Sequence, residues 1–254
     1  MSGHEQTGAP LTRHDSETMT TLMLSHEALS VDLMHGLKAE IETLRGSGRL
    51  LVLRGSNTVF CRGMAVETLA DWPSSESTRT LHQSFQDLLV TIQSYDSATL
   101  AAVEGDAFGG GVALAAACDF LVATETARFA LPELLWGLLP ANAAPFVVGR
   151  MGIGAARRMA LLTEPLAADL AHAQGLVDFV VPSGAKFDGI IRRLALRAKR
   201  LPDGAVIGVR NLFQKLQEDP DSYPQYATDI MTNLTDDPVF RQTLSEKFKQ
   251  IVEP

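Results

Sequence analysis

The 254 residues carry a net charge of −8 and are 46% hydrophobic. That balance supports one large or two modest cores and argues against general affinity for nucleic acid. No run approaches the roughly 18 apolar residues of a membrane span, and the polar opening stretch 1–17 lacks the apolar centre of a secretory signal. Two cysteines, Cys61 and Cys118, make neither a disulfide framework nor a C-x-x-C metal pair. The expected setting is a reducing cytoplasm, with no metal site.

Residues 1–17 read as a disordered leader, and 18–25 alternate loosely as a strand. Val31 to Leu44 predicts an amphipathic helix capped by Ser30, with Leu33, Leu37, Ile41 and Leu44 on one face. After the turn Gly46-Ser47-Gly48, Leu50-Leu51-Val52-Leu53 is a buried strand, and Val59-Phe60-Cys61 is a shorter one that runs into Arg62-Gly63-Met64. Residues 71–79 are polar and contain a proline, which predicts a loop, and Leu81 to Ile92 predicts another helix.

The stretch Thr99 to Phe146 organises the chain. Leu100 to Val103 is an apolar strand, Gly109-Gly110-Gly111 is a turn, Val112 to Cys118 is an alanine-rich helix, and Phe120 to Ala123 is a second strand. Glycines at a helix start let the main chain approach a ligand with unpaired N–H groups, which suits an oxyanion or a phosphate. The triplet fits neither the dinucleotide fingerprint nor the P-loop, and a tight packing turn without a ligand is the competing reading. Further on, Val148 to Leu162 and Ala167 to Gln174 predict helices and Leu176 to Val181 a strand. Alternating strands and helices imply an α/β fold with a parallel sheet. From 184 onward helical patterns dominate, ending in a helix over Val239 to Val252.

Four segments carry a resemblance to a known family. Leu51-Val52-Leu53-Arg54-Gly55 with Phe60-Cys61-Arg62-Gly63-Met64 resembles a strand leading into F-C-A-G-A-D. Ala101 to Asp119 resembles A-A-V-x-G-x-A-x-G-G-G-x-x-L-A-x-x-C-D. Phe129 to Pro140 resembles F-x-x-P-E-x-x-x-G-x-x-P, and Ala167 to Pro182 resembles A-x-x-A-x-x-x-G-L-V-D-x-V-V-P. On these, the chain is identified as a member of the crotonase (enoyl-CoA hydratase/isomerase) superfamily. The resemblance implies a ββα spiral core over 18–183 and a C-terminal helical region over 184–254 that caps the site and forms trimers or dimers of trimers.

The same resemblance assigns an oxyanion hole to the backbone N–H groups of Met64 and Gly110, with Gly109 and Gly111 beside the substrate. It keeps one acid, Glu133, whereas the position where hydratases carry a second glutamate is Ala113. The segment E-L-L-x-G-L-x-P-A-x-x-x-P-F, Glu133 to Phe146, is similar to the dehydratase of polyketide β-branching cassettes. That implies loss of water from a 3-hydroxy-3-methylglutaryl group on an acyl carrier protein, the substrate arriving as a phosphopantetheine or CoA thioester with no separate cofactor. A decarboxylase, an enoyl-CoA isomerase or hydratase, and a non-catalytic thioester-binding protein are the alternatives.

Glu133 follows Pro132 among Leu131, Leu134 and Leu135, an apolar setting that raises a carboxyl pKa toward acid/base work; a helix cap or surface ion pair is its bland alternative. Asn142 is either a hydrogen-bonding group for a polar acyl chain or a turn residue outside the pocket. His82 reads as a surface histidine, Asp119 and Glu125 as turn stabilisers, Asp106 as a residue of the glycine turn, and both cysteines as core. Arg193, Arg197 and Arg200 share a helix face that either meets an acidic carrier or CoA phosphate or is simply solvated. Phe240, Lys247 and Phe248 are expected to contribute to a neighbouring subunit's site.

Overall fold

The computed structural model describes residues 11–25, 27–64 and 75–238. The chain divides into two units, 1–204 and 205–254. The first is built around a six-stranded sheet and a four-stranded sheet. Strands β1 (Leu11–Asp15) and β2 (Met19–Leu24) are antiparallel, and helix α1 (Val31–Thr43) follows. Then one pattern recurs three times. A strand in the large sheet is followed by a short strand in the small sheet and then by a helix: β3 (Leu50–Arg54), β4 (Val59–Cys61), α2 (Ser75–Gln93); β5 (Thr99–Val103), β6 (Asp106–Phe108), α3 (Gly110–Ala116); β7 (Phe120–Thr124), β8 (Arg128–Ala130), α4 (Ala144–Leu162). Strand β9 (Leu166–Ala167) closes the small sheet, helix α5 (Ala168–Ala173) links it to β10 (Phe179–Val181) at the edge of the large one, and α6 (Ala185–Ala198) follows. This is the ββα spiral that the motifs imply.

The pattern follows from composition. Every residue of β5 is buried, as expected of a parallel strand covered on both faces. Helix α1 buries Leu33, Met34, Leu37 and Ile41, and the Ser30 hydroxyl accepts the Leu33 N–H at 3.1 Å, a cap worth about 1 kcal/mol. Helix α3 is buried from Gly111 to Ala116, which its glycine and alanine content permits: small side chains let it sit close to β4. The Gly111 Cα faces the Cys61 carbonyl, and a Cβ there would lie 2.0 Å from that oxygen. At its other end, Arg150 of α4 donates to the Ala116 carbonyl (3.1 Å) and pairs with Asp178 (3.1 Å), placing a cation where α3 ends in unpaired carbonyls. Asp119 ties the next strand in by accepting from the Thr99 N–H (2.8 Å) and hydroxyl (3.0 Å).

Three expectations need correction. The expected disordered leader does not extend over Leu11–Asp15, which form an edge strand whose polar, mostly exposed side chains hide it from a hydrophobicity pattern; residues 1–10 lie outside the described residues. The polar stretch from Ser75 to Thr80 is the first part of α2, not a loop, while 71–74 lie outside the described residues. The helical region begins a new unit at Ala205 rather than at 184: α6 belongs to the first unit, where Phe187, Ile191, Leu194 and Ala195 are buried. In the second unit, α7 (Ala205–Glu218) and α8 (Tyr223–Asp236) leave Val209, Phe213 and Met231 more than half exposed. The predicted final helix, with Phe240, Lys247 and Phe248, lies outside the described residues. Among the described residues no helix is long and apolar enough to cross a membrane.

Candidate active site

Two glycine bends meet at the base of a cavity of about 590 Å³. One is Arg62-Gly63-Met64, after β4; the other is Gly109-Gly110, between β6 and α3. Gly63 has φ +79° and Gly109 has φ +52°, values that glycine tolerates and other residues resist. The bends touch: a Cβ on Gly63 would lie 2.8 Å from the Gly110 nitrogen and 3.0 Å from the Phe108 carbonyl oxygen. The Gly109 N–H is consumed by the Ala130 carbonyl and the Gly63 carbonyl by the Leu29 N–H. The N–H groups of Met64 and Gly110 donate to no backbone acceptor among the described residues. Both residues are half-buried and line the cavity.

Glu133 also lines the cavity, from a single 3-10 turn, Glu133–Trp136. Its Oε1 lies 3.2 Å from where a Gly109 Cβ would be, so the absence of a side chain at Gly109 is what admits the carboxylate. Its Oε2 is buried and has no hydrogen-bond partner. Burial away from water pushes its pKa above the ordinary glutamate value. Ala113, the position of the missing second acid, is fully buried in α3 and cannot titrate. Among the described residues no group of His, Cys, Asp and Glu is arranged to hold a metal ion. Cys61 is buried with its pKa pushed up to about 12, which leaves a thiol rather than a nucleophile.

Asn142 also lines the cavity, so its turn-outside-the-pocket alternative falls. It is bridged to α2 by a donated hydrogen bond from Gln86 Nε2 to its Oδ1 (3.0 Å) and by its own Nδ2 donating to His82 Nδ1 (3.0 Å). His82 is exposed, as expected, but it is part of the cavity wall, which the surface reading missed. The missed signal was the four-residue spacing of His82 and Gln86 on one helix face. Phe85, Trp136, Leu138 and Leu139 supply the apolar lining.

The remaining expectations separate from the cavity. Gly111 is not among its lining residues; it is a packing glycine against Cys61. Asp106 is clamped by Arg128 (2.9 and 3.0 Å) and approached by Arg62 (3.7 Å). Arg193, Arg197 and Arg200 are exposed and none lines the cavity; the Arg193 guanidinium sits 5.8 Å from the centre of the Phe179 ring.

Comparison with known proteins agrees with this architecture. The bacillaene synthase dehydratase of Bacillus subtilis is 30% identical over 168 residues, which cover 66% of this chain and 64% of that protein. The chain thus spans slightly less than two thirds of that relative. A probable enoyl-CoA hydratase of Rhodobacter capsulatus is 32% identical over 188 residues, 73% of this chain and 72% of the relative. The crystal structure of an enoyl-CoA hydratase from Mycobacterium smegmatis superimposes with a TM-score of 0.86 at 29% identity, covering 95% of this chain and 96% of that one. The enoyl-CoA hydratase/isomerase family model matches residues 22–245, and the chain belongs to that family.

Proposed function

We propose that the protein is a hydro-lyase that removes water from a β-hydroxyacyl thioester, converting 3-hydroxy-3-methylglutaryl on an acyl carrier protein to its 3-methylglutaconyl form in polyketide β-branching. The observation that carries the reading is the single carboxylate, Glu133, with one oxygen buried and unpartnered, in the wall of the cavity that two uncommitted main-chain amides also line. The similarity to the bacillaene synthase dehydratase of Bacillus subtilis supports it.

The chemistry follows from these groups. Negative charge grows on the thioester oxygen as the α-carbon loses its proton, so the Met64 and Gly110 N–H groups are assigned to that oxygen; one such donor is typically worth about 3 kcal/mol of barrier. Glu133 takes the α-proton, its raised pKa making it a stronger base than a solvated glutamate. The protonated carboxyl then returns that proton to the β-hydroxyl as the C–O bond breaks. Water leaves, the α,β double bond remains and Glu133 is a carboxylate again. One acid suffices when both transfers occur on one face of the substrate, which accounts for Ala113. The acyl group rides on a phosphopantetheine arm, as a carrier or CoA thioester, and no further cofactor takes part.

Mass spectrometry of candidate acyl-carrier thioesters after incubation tests this. Loss of water from the 3-hydroxy-3-methylglutaryl form is the expected result. Loss of carbon dioxide from the 3-methylglutaconyl form would assign a decarboxylase, a shifted double bond at constant mass an isomerase, and binding without conversion a thioester-binding protein.

A further inference from the structure

We propose that Gln86 and His82 are positioning residues that lock the Asn142 amide so that its second N–H holds the oxygen-bearing end of the acyl group. The inference rests on the thioester reading above and adds residues that it does not use.

A primary amide offers two N–H donors and two acceptor lone pairs, and its orientation is undetermined until a neighbour chooses. Here α2 supplies two neighbours. Gln86 and His82, four residues apart, lie on one face of the helix. Gln86 donates to Asn142 Oδ1 at 3.0 Å, which sets the oxygen toward Gln86 and leaves the nitrogen for His82. Asn142 Nδ2 therefore donates to His82 Nδ1, also at 3.0 Å, and that ring nitrogen carries no proton. One Nδ2 hydrogen remains, on a half-buried residue of the cavity wall. An alkyl chain against it would leave this N–H without an acceptor, whereas a carboxylate oxygen satisfies it. A site built to hydrogen-bond a substrate group discriminates strongly against the analogue lacking that group. The surrounding side chains, Phe85 and Leu138 among them, are apolar and offer this N–H no acceptor.

The test is equilibrium binding of two unreactive thioesters that differ only in that group: 3-methylglutaryl-CoA, with a terminal carboxylate, and 3-methylbutyryl-CoA, without it. Wild-type protein is expected to prefer the former by about tenfold or more. Asn142→Ala should bring the ratio near one. So should Gln86→Leu, which removes the donor without adding a charge. A ratio near one in the wild type, or a wild-type ratio in Gln86→Leu, overturns the inference, since a charge effect from Arg62 would survive both substitutions. Because binding is read without turnover, a preserved preference in a protein that releases no water would sink the dehydratase reading and leave this inference standing.

Discussion

The two walls of the cavity are made of different material. One is main chain: the Gly63 and Gly109-Gly110 bends, where an added Cβ would meet the Gly110 nitrogen at Gly63 (2.8 Å), the Glu133 carboxylate at Gly109 (3.2 Å) and the Leu29 side chain at Gly110 (3.1 Å). The other is side chain: Glu133 and Asn142, on a single 3-10 turn and the turn before α4, next to Leu135 and Leu139 at 68% and 75% exposure. The first wall has no room for variation. In the second, Asn142 takes its order from α2. Amide donors therefore belong to the fold, whereas the acid and the acyl contacts are attached to it and are open to change. That division predicts which substitutions damage chemistry and which damage the molecule.

The largest effect is expected on the side-chain wall. Glu133→Gln removes the only carboxylate assigned to proton transfer and should lower kcat by about 10²–10⁴-fold, with the circular dichroism spectrum unchanged. A variant that still turns over normally would end the single-acid mechanism. On the main-chain wall's support, Gly111→Ala should act the other way round. Its Cβ would have to displace the Cys61 carbonyl, so a stability loss of about 1–3 kcal/mol is expected, read as a fall in Tm, with activity lost only as the fold is lost.

Gly109→Ala tests the point where the walls meet. A residue with a side chain at φ +52° carries backbone strain of about 1–3 kcal/mol, and its Cβ would press on Glu133 Oε1 at 3.2 Å. Here activity should fall further than the loss of folded protein explains. By contrast Leu139→Ala, on an exposed side chain, should shift stability by no more than about 0.5 kcal/mol. Equal losses at Gly109 and Leu139 would erase the distinction between the walls.

The same division explains what could be read from the chain. The strand, glycine turn, helix and strand of 99–124 were legible because β5 is apolar from Leu100 to Val103 and α3 is rich in alanine and glycine. The Ser30 cap was legible because its partner is three residues away. Strand β1 and the first turn of α2 were not, since TRHD and SESTRT carry no apolar period and take their shape from pairing with β2 and from the rest of the helix. At the site, Gly109, Gly110 and Glu133, singled out through the family resemblance, all line the cavity. Gly111 was misread because its constraint is a carbonyl fifty positions earlier in the chain. The His82–Asn142 bond joins residues 60 apart, so the spacing of His82 and Gln86 marks a shared helix face but not Asn142 as its partner.

A further expected effect concerns the cost of holding Glu133 in its wall. Burial raises its pKa in the folded protein, so between its ordinary value and the raised one the folded state binds more protons than the unfolded state. Stability must then fall as pH rises through that window, and level off above it. Glu133→Gln cannot ionise and escapes the fall. Wild type and variant should therefore unfold at similar urea concentrations below the ordinary glutamate range, and the variant should be the more stable at neutral pH. The rate should show the complementary limb: activity is lost on acidification at a pH above that of a solvated glutamate, because only the ionised form accepts the α-proton. Parallel stability curves for the two proteins would mean that water reaches the carboxylate in the folded state. An inactive variant that is also the more stable one would identify this wall as the place where the fold gives up stability to keep a base.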